Sequence, residues 1–381
     1  VMVLSGCASR TIAVHETAFV ADTHCDVLLR VMNGEDITVR TSSGHVDLPR
    51  LKAGGVDLEV FILWVDPYRF LPVGAYDRAN EMIDSLEAVV ARSGDAIGIV
   101  ARYDEIRENE KAGRLSALIG LEGGHGLEND LSKLDTLYYR GLRYLGLTWN
   151  NSTDWATSAR DETQSDSLSF RGLTDLGRDI VRYCNDKGIL VDISHAGPQT
   201  VRDVLEVTTK PIIASHSCVA AICPHYRNLT DEQLQAIGRN GGVVFINFYP
   251  GYLDSTFARK AQQVEKKYRQ QLDSLARQYG EESDEYWYGS MDIMGADLQA
   301  VAPSVDAIID HIDYVVQLIG VDHVGLGSDF DGVEALPQGM EDVTRLPVIT
   351  EKLLARGYSE TDVKKILGGN FLRVFRAVTE D

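Results

Sequence analysis

Metal-type ligands stand at the ends of five separate hydrophobic runs, and this distribution constrains the fold more than any other feature of the chain. His24 and Asp26 close the run Phe19 to Thr23. Glu122 closes Leu118-Ile119-Gly120-Leu121, His195 closes Ile189 to Ser194, His216 closes Pro211 to Ser215, and Asp329 follows Val324 to Ser328. Short apolar runs separated by helical patterns read as buried parallel strands. A polar ligand just past each strand brings the ligands to one rim of a sheet or barrel. Imidazoles and carboxylates together suit zinc or a similar transition ion.

Eight strands are predicted, at about 17–23, 57–64, 116–121, 142–148, 189–194, 211–215, 242–247 and 322–328. Amphipathic helical patterns lie between most of them. Leu173 to Cys184 is one, and Thr230 to Gln233 opens another with the start of a capping box. Strand and helix alternating in this way predict an α/β fold, a (β/α)8 TIM-type barrel. An open doubly wound sheet would usually carry a glycine-rich loop after its first strand, and Asp22-Thr23-His24-Cys25-Asp26 contains no glycine. The stretch at about 253–305 is too long for a simple loop. It is read as a helical insertion over the C-terminal face of the strands, a lid or subunit contact as readily as a solvated surface helix. The expected organisation is a tether over 1–16 and a single barrel domain over 17–381, closed by a helix over 359–379.

The formal net charge of −20 argues against nucleic acid or an anionic membrane surface as a partner. Val1 to Cys7 resembles the end of a bacterial lipoprotein signal, with Leu4-Ser5-Gly6-Cys7 as a lipobox. The expectation is a chain tethered through a lipid on Cys7. Cys25, Cys184, Cys218 and Cys223 form no CxxC pair, so buried free thiols are expected, with Cys218–Cys223 pairing left open.

In His24-x-Asp26, alternation along an extended segment would send both side chains to one metal. His195 and His216 come from consecutive βα units and should be neighbours. Glu122 precedes Gly123-Gly124, which allow a sharp turn, and a carboxylate on that central strand can bridge two ions. The ligands outnumber the three protein groups that one open catalytic zinc needs. Asp329 is the candidate proton acceptor, with Asp331 capping its turn. Arg227 can clamp a carboxylate, or simply brace its loop. His15, His45, His125, His311 and His323 are read as structural.

Taken jointly, these motifs resemble the renal (membrane) dipeptidase family of zinc peptidases, within the metal-dependent amidohydrolases. The similar segments are Asp22 to Asp26, Glu122 to His125, Asp192 to His195, Ser215 to Ser217, Arg227-Asn228, Asn247 to Tyr249 and Ser328 to Gly332, in the family's order. The resemblance implies two zinc ions per chain, His24 and Asp26 holding one, His195 and His216 the other, with Glu122 bridging. It implies that a metal-bridging hydroxide attacks a dipeptide, that Asp329 shuttles the proton, that Arg227 grips the terminal carboxylate and that Tyr252 lines the pocket. It also suggests a homodimer and tolerance of a D-residue at the C-terminal position; with the lipobox, a bacterial cell envelope location, facing periplasm or surface, is expected. The chain departs from the family at Trp149, where the mammalian enzyme carries a His expected to steady the substrate carbonyl oxygen. Asn150 or Asn151 is the expected substitute donor. N-acyl amino acids or lactams are alternative substrates, and a non-catalytic solute-binding protein is the alternative from another class.

Overall fold

A computed structural model describes residues 10–281 and 283–380. The lipobox residues, Cys7 among them, lie outside the described residues. Eight parallel strands form a nearly closed barrel: β1 (Ala21–Cys25), β2 (Leu58–Trp64), β4 (Leu115–Glu122), β5 (Leu142–Gly146), β6 (Leu190–Asp192), β7 (Ile213–Ser217), β8 (Val243–Ile246) and β9 (Val324–Leu326). A short additional strand, β3 (Ile97–Ile99), pairs outside this path with β4. Closure comes just beyond the strand ends, where Asp26 N–H donates to Phe330 O at 2.9 Å and Asp329 N–H to His24 O at 3.1 Å.

The period-two pleat sorts each strand into two environments. Leu58, Val60 and Ile62 of β2, Leu118 of β4, Tyr144 of β5 and Phe245 of β8 fill the barrel interior, while Phe61, Leu63, Ile119 and Leu121 pack outward among the helices. The C-terminal helix Asn370–Thr379 covers the base. It buries Phe371, Val374, Phe375 and Val378 against the interior residues, with the Phe371 and Phe375 rings 5.6 Å apart. Extending the inward register of β4 from Leu118 through Gly120 delivers Glu122 to the opposite rim. The barrel therefore has an apolar floor and a polar top.

Between β8 and β9 the chain makes an antiparallel pair of long helices, Phe257–Tyr279 and Asp284–Val301, with their own apolar seam of Phe257, Val264, Leu272, Met294 and Leu298. The turn of this hairpin reaches the polar rim, where Asp284 meets Arg69 at 3.3 Å. The Thr230–Gln233 capping box is formed at the start of Asp231–Asn240. Among the described residues no helix is long and apolar enough to cross a membrane, and the four described cysteines are free and buried.

Two local expectations fail. The first strand is Ala21–Cys25 rather than 17–23, because parallel pairing sets Ala21 opposite Leu58. His24 therefore lies inside the strand, not past it. Asp26 is not extended: it caps the helix Val27–Met32 with φ −91° and ψ 16°, so a turn, not strand alternation, brings it beside His24.

Candidate metal centre

The expected ligands converge at the polar rim. The His195 Nε2 and His216 Nε2 atoms lie 3.0 and 3.2 Å from Glu122 Oε1, and His24 Nε2 lies 3.7 Å from it. On the other side of His24, the same Nε2 is 3.6 Å from Asp26 Oδ2 and 4.0 Å from Asp329 Oδ1. Two overlapping donor groups result, His24–Glu122–His216 and His24–Asp26–Asp329.

The outer hydrogen bonds fix the tautomers. Ser215 O–H donates to Asp192 Oδ2 at 2.8 Å, so Ser215 Oγ accepts from His216 Nδ1–H at 2.8 Å and from the Tyr144 hydroxyl at 2.7 Å. Tyr144 Oη in turn accepts from His24 Nδ1–H at 3.0 Å. His195 Nδ1–H donates to Asn150 Oδ1 at 3.1 Å, since an amide oxygen can only accept. Each Nδ1 carries its proton outward, leaving three Nε2 lone pairs aimed into the centre. Burial holds the three imidazoles neutral, well below their ordinary pKa, and the charge of Arg227 adds to this. Burial raises Glu122 and Asp26 well above the carboxylate range, and neighbouring carboxylates reinforce it. The His195 and His216 Nε2 atoms face each other at 3.0 Å with no proton between them. Inward lone pairs and buried carboxylates are together a donor set that cations stabilise.

Backbone strain is concentrated here. His195, Asp329 and Asp331 each adopt φ 65°, a left-handed conformation costing a non-glycine residue about 1–3 kcal/mol. Gly123 follows Glu122 at φ 91°, the sharp turn its sequence suggests. At Gly332 a Cβ would stand 2.2 Å from Asp26 Oδ2 and 2.7 Å from Asp329 Oδ1, so only hydrogen fits behind these carboxylates.

Asp329 Oδ2 accepts from Asn247 Nδ2–H at 2.8 Å, which orients the carboxyl. Asp331 is not simply a turn cap. It is buried and joins distant segments, accepting from Arg30 Nη1 at 2.7 Å and from His45 N–H at 2.6 Å. Arg227 is buried beside His216 and is not among the residues lining the cavity; it donates through Nη2 to His216 O at 3.0 Å, while its Nε–H has no acceptor. Its guanidinium lies 5.4 Å over the Tyr252 ring. Asn150 lines the cavity, but its oxygen is engaged by His195. Trp149 lies between Trp64, at 5.2 Å, and His195, at 6.3 Å. Asn151 is not among the residues lining the cavity, and its Nδ2–H donates to Ser152 O. His15, His125, His311 and His323 each bond backbone or side-chain groups away from the centre.

A cavity of about 540 Å³ opens over the ligands. Its walls are aromatic, including Trp64, Trp149, Tyr249, Tyr252, Trp287 and Tyr288, and the last two come from the helical hairpin. Sequence reasoning missed Tyr144, which looks like a core aromatic; its inward position two residues before Gly146 was the available signal.

The sequence profile of the membrane dipeptidases (peptidase family M19) matches residues 8–381. The chain belongs to this family. It is 31% identical to Dipeptidase 3 from Mus musculus over 348 residues, covering 91% of this chain and 60% of that protein. The chain thus spans about three-fifths of the length of the curated relatives it matches. The crystal structure of dipeptidase AC, an M19 metallopeptidase, aligns with a TM-score of 0.77 at 28% identity, covering 96% of this chain and all of that one. A metallopeptidase from Rhodobacter sphaeroides, solved with a phosphinate mimic of the dipeptide L-Ala-D-Ala, aligns with a TM-score of 0.76 at 26% identity, covering 95% and 99%. M19 membership implies a metal cofactor, and the donor groups around His24 are its candidate ligands.

Proposed function

We propose that this chain is a binuclear, zinc-type dipeptidase that hydrolyses the peptide bond of free dipeptides, including those with a D-residue at the C-terminal position. The observation that carries this reading is the convergence of three inward imidazole lone pairs and three carboxylates at the floor of one cavity. His24 and Asp26 would hold one cation and His195 and His216 the other, with Glu122 between them. When bound, the cations supply Lewis-acid polarisation of the scissile carbonyl and a lowered pKa for the attacking water.

The remaining roles fall to the chain itself. Asp329, oriented by Asn247, takes a proton from the water and delivers it to the leaving amine nitrogen as the C–N bond breaks. The unpartnered Nε–H of Arg227 suits a substrate carboxylate, and Tyr252 braces the guanidinium. The aromatic walls exclude water around a small substrate. Tolerance of a C-terminal D-residue is supported by the L-Ala-D-Ala mimic bound to the Rhodobacter sphaeroides relative.

A panel of dipeptides with L- or D-residues at the second position tests the reading. Cleavage that a chelator abolishes, zinc restores and Asp329→Asn removes is the expected result. Envelope anchoring through Cys7 and homodimer formation belong to the same proposal. The Leu4-Ser5-Gly6-Cys7 order supports the anchor. Palmitate labelling lost in Cys7→Ser tests it, and sedimentation tests the dimer.

A further inference from the structure

His225 lines the cavity two residues before Arg227, and the roles assigned above leave it unused. Its Nδ1 accepts the Arg227 N–H at 3.1 Å. A neutral imidazole that accepts at Nδ1 carries its proton on Nε2. Burial, with the Arg227 charge adding, pushes its pKa down to about 4, so the neutral ring is the form present near neutrality. Among the described residues its Nε2–H finds no acceptor.

The ring belongs to the Tyr252 side of the cavity, behind which the Arg227 guanidinium is buried. It lies 4.7 Å from Tyr252, the ring under the Arg227 guanidinium, whereas Trp149 is the aromatic beside His195. We propose that His225 is the neutral half of the carboxylate subsite, its Nε2–H donating to one oxygen of the dipeptide's terminal carboxylate while Arg227 holds the other. A neutral donor adds a hydrogen bond without adding a second positive charge beside Arg227. This inference rests on the dipeptidase reading given above.

Steady-state kinetics on L-Ala-D-Ala test it with zinc-loaded wild type, His225→Phe and His225→Gln, each checked for folding by its melting temperature. Losing a hydrogen bond to a charged group is worth about tenfold to a hundredfold in binding. His225→Phe is expected to raise KM by that factor with kcat held within about threefold. Glutamine, which returns an N–H near the Nε2 position, is expected to recover most of the loss. An unchanged KM in His225→Phe, a loss confined to kcat, or a glutamine variant as poor as phenylalanine overturns the proposal. Inactive wild type would instead sink the dipeptidase reading itself, and the inference with it.

Discussion

The amide oxygen of Asn150 lies 3.1 Å from His195 Nδ1 and fixes that imidazole with its Nε2 lone pair toward Glu122. Asn150, expected from sequence to donate to the substrate, thus has its oxygen engaged by a candidate metal ligand, which leaves the donor role to its Nδ2–H groups. Substituting such an outer partner typically costs ten- to a hundredfold in metal affinity. Asn150→Leu should weaken one cation by about that factor and leave the other nearly unchanged. Competition titration against a chromophoric chelator reads both; equal weakening of the two, or none, contradicts the assignment.

Asp329 is the proton carrier in this account and Asn247 orients it. General acid–base groups contribute about 10²–10⁴ in rate. Asp329→Asn should lower kcat by at least about a hundredfold with both metals retained, and Asn247→Ala should cost less. Kinetics paired with metal analysis separates this from a ligand role. Loss of a metal ion in Asp329→Asn would make Asp329 a ligand instead.

Gly332→Ala tests how tightly the carboxylates are packed. Its Cβ would press on Asp26 Oδ2 and Asp329 Oδ1, at 2.2 and 2.7 Å. The position carries no left-handed strain, so the fold should survive while metal retention and kcat/KM fall at least about tenfold, as expected when well-packed reacting groups are displaced. Dialysis followed by metal analysis, with a thermal melt as control, reads this out. Wild-type metal content with full activity would show that the carboxylates shift freely.

The stability of the substrate end should depend on pH through His311. This buried ring accepts Val219 N–H at Nδ1 and donates from Nε2 to Leu253 O, tying the loop after β7 to the turn that carries Tyr252. Burial pushes its pKa down to about 4 from an ordinary 6.5. Because the folded pKa is depressed, the unfolded state binds the extra proton. The contribution is complete above about pH 6.5 and is lost as pH falls toward 4, at about 1.4 kcal/mol per pH unit. His311→Asn keeps an acceptor and cannot titrate. The melting-temperature gap between wild type and variant should narrow between pH 7.5 and 5.0; a constant gap would exclude a buried neutral ring.

Much of this was legible in the sequence because ligand and strand come together. Glu122, His195 and His216 each end an apolar run; pleat alternation carries Glu122 and His216 to one rim, and the left-handed turn three residues beyond β6 brings His195 beside them. β3 was not legible: it has three residues with Gly98 at its centre, and it exists only through pairing with β4. Nor was the geometry of Asp26, which depends on a helix beginning one residue later. The 253–305 stretch reads as helical, but a contact such as Arg69–Asp284 is tertiary and leaves no local pattern. Tyr144 bonds the candidate ligand His24 and also Ser215, both far from it along the chain, a relationship that spacing cannot reveal.

The proposed chemistry depends on a pair of cations shared across Glu122. Titrating zinc into chelator-stripped protein while following L-Ala-D-Ala hydrolysis tests it most directly. No cleavage is expected at the start, and activity should stop rising at two equivalents per chain. Full activity in the stripped protein, or saturation at one equivalent, would contradict it.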